Sequence, residues 1–196
     1  QRLDNLMPLL LQTLKHVHNA PDALQRLLNL LQAIVRRSVY LALLIEYPVA
    51  LEQLVRLCAA SPWISSLLTR YPVLLDELLD ARTLNEILDR EQMAAELNDL
   101  LTGQENDEER LLDNLRKFKQ AQMLRIAAVD LAATIEVFEV SDQLTLLAEV
   151  LLEAGMPRGF LSVIPGGAQV ADWLIADERV RFFAFTGSTE VGRRIQ

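Results

Sequence analysis

The sequence predicts a mainly α protein, a multi-helix bundle of short proline-punctuated helices, closed by a C-terminal βαβ fragment. Three observations predict it. Apolar residues recur at spacings of three and four almost throughout residues 1–153, the period of one helix face. Prolines in this body, such as Pro21, Pro48, Pro62 and Pro72, stand just ahead of new apolar stripes, where a helix would begin. Six of the seven glycines lie at or after Gly155, where short β-prone runs replace the long periodic ones.

The bulk numbers set the class. A chain of 196 residues, 51% hydrophobic and 23% charged, is too apolar for disorder and long enough to bury a sizeable core. No uninterrupted apolar stretch reaches the roughly 18 residues of a membrane span, and the N-terminus lacks the pattern of a secretion signal. The single cysteine, Cys58, excludes an internal disulfide and suits a reducing compartment, so a cytoplasmic protein is expected. The net charge of −8 argues against a nucleic-acid partner, which would call for clustered Lys and Arg. That charge is unevenly spread: −9 up to Glu153 and +1 from Ala154 onward. Charge and glycine together place a change of architecture near residue 155.

In chain order, Pro8 stands inside the first apolar run, where it either starts the first helix or kinks it. Asn19 followed by Pro21 reads as an N-cap with proline in the first turn. The stripe that follows is Leu24, Leu27, Leu28, Leu31, Ile34 and Val35, wide enough to face a core. Ser61-Pro62 repeats the cap signal. Tyr47-Pro48-Val49-Ala50-Leu51-Glu52-Gln53-Leu54 is echoed 24 residues later by Tyr71-Pro72-Val73-Leu74-Leu75-Asp76-Glu77-Leu78. Each copy reads as a helix end, a Tyr-Pro junction and a new amphipathic helix, so stacked helical hairpins are expected. Two copies are fewer than a solenoid requires. A long helix is expected from near Asp107 to about Ala133, with Asp107, Glu108 and Glu109 at its positive end. Ser141 is expected to cap the helix after it.

The body offers little chemistry. His16 and His18 are two apart, so on a helix they diverge and cannot share a metal ion. Cys58 has no histidine near it in sequence and reads as a small buried residue. The acidic run at 105–109 reads as a solvated helix start, and Tyr40, Tyr47, Trp63 and Tyr71 as core or interface anchors.

Several runs in order carry a resemblance. They are Ala33-Ile34-Val35-Arg36-Arg37-Ser38-Val39-Tyr40-Leu41-Ala42-Leu43-Leu44, Leu54-Val55-Arg56-Leu57-Cys58-Ala59-Ala60-Ser61-Pro62-Trp63-Ile64 and Leu74-Leu75-Asp76-Glu77-Leu78-Leu79-Asp80. Residues 115–131 and 140–145 continue the series. Over about residues 1–152 the chain resembles the bifunctional glutamine synthetase adenylyltransferase, which attaches and removes AMP on glutamine synthetase. The resemblance implies a helical region between two nucleotidyltransferase domains, with glutamine synthetase or a PII-type regulatory protein as the partner of the parent enzyme. ATP and magnesium would serve that parent only. Nucleotidyl transfer there needs an Asp-x-Asp pair to hold two metal ions, and this sequence has none. Its one Gly-Ser, Gly187-Ser188, belongs to another motif. No catalytic residue and no metal site are therefore expected.

After Gly155 the pattern changes. Phe160-Leu161-Ser162-Val163-Ile164 is a β-prone run closed by Pro165-Gly166-Gly167. Residues 169–176 have helical spacing, and residues 180–185 form a second β-prone run that enters a turn at Thr186-Gly187-Ser188. This is the order of a βαβ unit with parallel strands, of Rossmann-like type, and its strand–glycine–helix junction would aim free N–H groups at a phosphate. The run Phe185-Thr186-Gly187-Ser188-Thr189-Glu190-Val191-Gly192-Arg193-Arg194-Ile195, with Gly155-Met156-Pro157-Arg158-Gly159 and Ile164-Pro165-Gly166, resembles the aldehyde dehydrogenase superfamily over about residues 146–196. That resemblance implies that Gly187 and Ser188 contact the pyrophosphate of NAD(P), with Pro165 and Val191 beside the adenine. The family's nucleophilic cysteine lies well downstream of this motif, and no cysteine follows Cys58 here. Weak NAD(P) binding at the tail is the most that is expected.

Two domains are thus expected: residues 1–150, a helical adenylyltransferase-like linker or regulatory region, and residues 151–196, a partial NAD-binding segment. The seam falls within residues 146–155, where both families carry an amphipathic helix. Three classes of function remain: a non-catalytic helical module, an NAD(P)-binding dehydrogenase fragment, or a chimeric or designed scaffold without activity.

Overall fold

A computed structural model describes residues 2–15, 17–78, 84, 86–103, 107–132, 135–155, 162, 164 and 166–182. Contacts divide the chain into two units, Gln1–Met156 and Pro157–Gln196.

The first unit opens with α1 (Arg2–Leu14), which carries Pro8 in its interior and buries Leu6, Leu10 and Leu14. Of the two readings of Pro8, a start is excluded, since the helix begins at Arg2. The cost of a proline that offers no N–H to the preceding turn is offset by a stripe of leucines at a spacing of four. In α2 (Ala20–Ile34), Ala23, Leu27, Leu30, Leu31 and Ile34 are buried, and Pro21 occupies the first turn. Val35, expected on this stripe, is 45% exposed. Asn19 holds the N-cap position but does not cap with its side chain. Its Nδ2 donates to Asp22 Oδ2 at 2.6 Å instead.

The Tyr-Pro echo is resolved into junctions. The N–H of Tyr47 closes α3 (Ser38–Glu46) on Leu43 O at 2.9 Å, and Pro48 opens α4 (Pro48–Ala60). Tyr71 closes α5 (Pro62–Arg70) on Leu67 O at 2.8 Å in the same way. Ser61 caps α5, its Oγ accepting from Ile64 N at 3.3 Å. The two copies then diverge. After Pro72 the chain forms a 3-10 helix (Pro72–Leu78), tighter than the α-helix expected. Three residues per turn bring Leu75 and Leu78 into line, and both are fully buried.

Next comes α6 (Arg90–Leu101), whose start is a capping box: Gln92 N donates to Asp89 Oδ1 at 2.9 Å and Asp89 N donates to Gln92 Oε1 at 3.0 Å. The long helix α7 (Glu108–Leu131) agrees with expectation, with Asp107 as its cap, Oδ1 accepting from Arg110 N at 3.1 Å. The following helix, α8 (Val137–Glu153), starts four residues before Ser141. There Glu139 reaches back to accept from Glu136 N at 2.8 Å, and Ser141 lies inside the helix.

Two apolar clusters result. The first joins α1 to α5, the 3-10 helix and the Ala121, Leu124 and Ala128 face of α7. The second joins Met93 and Leu97 of α6, Phe118 and Ile126 of α7, and Leu147 and Val150 of α8. Helix α7 therefore belongs to both, with a different face in each. Among the described residues no single helix is long and apolar enough to cross a membrane. Helices α3 and α4 pass that test only as a pair, and they bend by 104° at their junction.

In the second unit α9 (Ala168–Ala176) occupies the stretch expected to be helical, and none of its residues is buried. The βαβ expectation is not met: the described residues of this unit contain no strand, and Val180, Arg181 and Phe182 at the head of the second run are not in one. A strand is defined by the neighbour it bonds to, so β-prone composition alone does not make one, and two strands by themselves fall below independent stability. Ser162 and Ile164 of the first run are not in a strand either, and the other residues of both runs lie outside the described residues.

Candidate functional site

The last turn of α1, the link into α2 and one side of α4 line an open cleft of about 470 Å3. Its lining is apolar at Val17, Val55 and Ala59, with His18, Glu52 and Arg56 as its ionisable groups. Glu52 and Arg56 stand four apart on α4 in the order that favours a helical ion pair, yet both line the cleft. Cys58, close by on the same helix, is fully buried. Burial pushes its thiol up to about 12, against a hydrogen bond from Ser65 and the charge of Arg26, so the reactive thiolate is disfavoured. Arg26 itself serves structure. Its Nη1 donates to the carbonyls of Cys58 and Ala59, each at 2.9 Å, at the C-terminal end of α4 where carbonyls lack helical partners.

A second constellation lies where the two clusters meet. Arg125 of α7 donates from Nε to Glu77 Oε2 at 3.1 Å, and from Nη1 and Nη2 to the two carboxylate oxygens of Glu96 at 2.8 and 3.2 Å. Gln122 Nε2 adds a bond to Glu96 Oε2 at 3.2 Å. Arg125 is nine-tenths buried. Burial works to lower its pKa but is outweighed by the hydrogen bonds and charges of Glu96 and Glu77, which hold the guanidinium above its ordinary value. Beside it is an open pocket of about 200 Å3 lined by Asp76, Glu77, Glu96, Lys117 and Phe118, among others. Burial raises the Asp76 carboxyl above its ordinary value. The network was not singled out from sequence, although a charged residue inside Met123-Leu124-Arg125-Ile126 was the available signal.

The residues expected to touch NAD(P), namely Pro165, Gly187, Ser188 and Val191, lie outside the described residues, as does His16. His18 lines the cleft. Among the described residues, no group of three or more His, Cys, Asp and Glu side chains is arranged to hold a metal ion. Of the aromatic anchors, Tyr40 and Tyr71 pack against the first cluster, whereas Tyr47 and Trp63 are 52% and 45% exposed. In the tail, the Asp177 carboxyl is pulled down to about 2 by hydrogen bonds from Arg179, a local pairing at the end of α9.

A family model for glutamate-ammonia ligase adenylyltransferase matches residues 51–167, more than half of the chain. The chain belongs to that family. A curated relative, the bifunctional glutamine synthetase adenylyltransferase/adenylyl-removing enzyme of Thioalkalivibrio sulfidiphilus, is 53% identical over 154 residues. The match takes in 78% of this chain but only 16% of the relative's length. A second model, that of the aldehyde dehydrogenase family, matches residues 139–196. Adenylyltransferase-family and dehydrogenase-like matches overlap over residues 139–167, from the first turn of α8 to the residue before α9.

Proposed function

We propose that this chain is a non-catalytic helical region of a glutamine synthetase adenylyltransferase, acting in nitrogen regulation through protein contact and spacing rather than through chemistry. The observation that carries this reading is the family match over residues 51–167, whose described part up to residue 155 is packed helix around two apolar clusters. The sequence supports it, since it holds no Asp-x-Asp with which to position metal ions for AMP transfer. On this reading residues 1–150 are the linker or regulatory region, its partner is glutamine synthetase or a PII-type regulatory protein, and ATP and magnesium are used elsewhere in the full-length enzyme. The compartment is the cytoplasm, where glutamine synthetase is modified.

Two measurements test it. Incubation with glutamine synthetase, ATP and magnesium should transfer no labelled AMP, and any turnover above blank contradicts the non-catalytic part. Surface-immobilised glutamine synthetase and PII-type protein should each be offered the chain. Saturable binding to one is expected, and flat responses to both overturn the contact role.

A second reading is favoured by the dehydrogenase match over residues 139–196. In it the tail is a partial nucleotide-binding segment, with Gly187 and Ser188 at the pyrophosphate of NAD(P) and Pro165 and Val191 at the adenine. Calorimetric titration with NAD separates the two: saturable heat that disappears in Ser188→Pro favours the second reading. A chain with two family parents is also open to being a chimera. Sequencing genomic DNA across codons 139–167 decides whether one uninterrupted frame encodes both halves.

A further inference from the structure

We propose that Arg125 is a charge latch that holds α6 against the 3-10 helix and so decides whether the two apolar clusters move as one body. The inference does not depend on the function proposed above. Most helix contacts in the first unit are leucine-rich packing, and where charges add to it they lie at the rim, as where Arg90 of α6 pairs with Glu149 and Glu153 of α8. The seam between the 3-10 helix and α6 is different. It contains an open pocket of about 200 Å3, with Val73, Leu74 and Glu77 on one wall and Glu96 and Leu100 on the other. Two of those wall residues are carboxylates, and Arg125 closes on both: Nη2 stands 2.9 Å from Glu77 Oε2 and Nη1 2.8 Å from Glu96 Oε2. A planar guanidinium with five N–H groups can bridge two carboxylates at once, which a lysine ammonium does less well.

The charges explain why such a seam behaves as a latch. Asp76, Glu77 and Glu96 face it from the 3-10 helix and α6, and Lys117 and Arg125 face it from α7. With Arg125 in place the seam carries one excess negative charge. Without it, three carboxylates remain against one lysine, two of them on opposite walls. Arg125 is the buried member and Glu77 and Glu96 are partly exposed, so removing Arg125 leaves two partly desolvated carboxylates uncompensated, which costs more than removing the whole network. Loss of Arg125 should therefore drive α6 away from the 3-10 helix along a seam that already has free volume. Arg125 is a positioning residue in this account, not a catalytic one.

Hydrogen–deuterium exchange on the full chain tests the latch. In Arg125→Met, amides of α6 (Arg90–Leu101) should exchange at least ~10-fold faster, while those of α2 (Ala20–Ile34) stay within ~3-fold of the parent chain. In the triple variant Arg125→Met, Glu77→Gln, Glu96→Gln, the repelling charges are gone, and α6 should return to within ~3-fold of the parent. Arg125→Lys, which keeps the charge but not the fork, should fall between parent and Arg125→Met, and it carries the test if Arg125→Met does not fold. Equal acceleration of α2 and α6 would reduce Arg125 to a general stabiliser. Unchanged α6 exchange in both single variants, or a triple variant as labile as Arg125→Met, would overturn the charge latch.

Discussion

Helices α3 and α9 are both nine residues long and both mostly apolar, with sequences Ser-Val-Tyr-Leu-Ala-Leu-Leu-Ile-Glu and Ala-Gln-Val-Ala-Asp-Trp-Leu-Ile-Ala. Their fates differ. Helix α3 buries Leu41, Leu43 and Leu44, whereas α9 buries nothing and leaves Trp173 63% exposed. Apolar composition creates a demand for burial, but neighbours meet it, and a short helix draws most of its stability from that packing. Residues Gln1–Met156 supply the neighbours; the described part of Pro157–Gln196 does not.

The largest expected effects break this comparison most directly. Leu54→Ala, at a fully buried position of α4, should destabilise the first unit by about 2–5 kcal/mol in urea unfolding. Trp173→Ala in α9 should change the same transition by less than about 0.5 kcal/mol despite deleting a larger side chain. Comparable losses would show that α9 is packed after all. Smaller effects distinguish caps that work from caps that only occupy the position. Ser61→Ala removes the bond to Ile64 N and should cost about 1 kcal/mol. Asn19→Ala should cost distinctly less in the same assay, because Asn19 bonds to Asp22 rather than capping α2.

The smallest effect concerns Asp76. Its folded pKa lies above the ordinary aspartate value because of burial, so the folded state binds the proton more tightly than the unfolded state does. Stability from this group is therefore complete below the unfolded pKa and is lost as pH rises through the folded one. Asp76→Asn should raise the thermal midpoint at neutral pH, and the gain should vanish once the pH falls below about 4. A gain that persists in acid would assign the effect to packing rather than ionisation.

Much of the body was legible because helix is a local property. The three-and-four spacing gave the stripe of α2, Ser61-Pro62 gave the start of α5, and Asp107 gave the start of α7 to within a residue. Helix α6 was passed over although Asp89 and Gln92 spell a capping box. The start of α8 was misplaced because Val137 and Phe138 stand in its first turn at 78% and 81% exposure, so its opening shows no buried stripe. The second Tyr-Pro copy was expected to repeat the first, but local sequence does not choose between α and 3-10 winding over seven residues. The latch was the least legible feature. Glu77, Glu96 and Arg125 are far apart in sequence, and no periodicity relates them. The described residues of the two tail runs are not in strands for a related reason: a strand needs a bonded neighbour that composition does not supply.

The difference between a packed body and an unpacked α9 is tested most directly by native-state hydrogen exchange of the whole chain. Amides in the cores of α2 and α4 should be protected to near the free energy of global unfolding, while those of Ala168–Ala176 should exchange at close to the rate of an unprotected peptide. Protection of α9 equal to that of α4 would contradict the account and show that the tail folds as part of a stable domain.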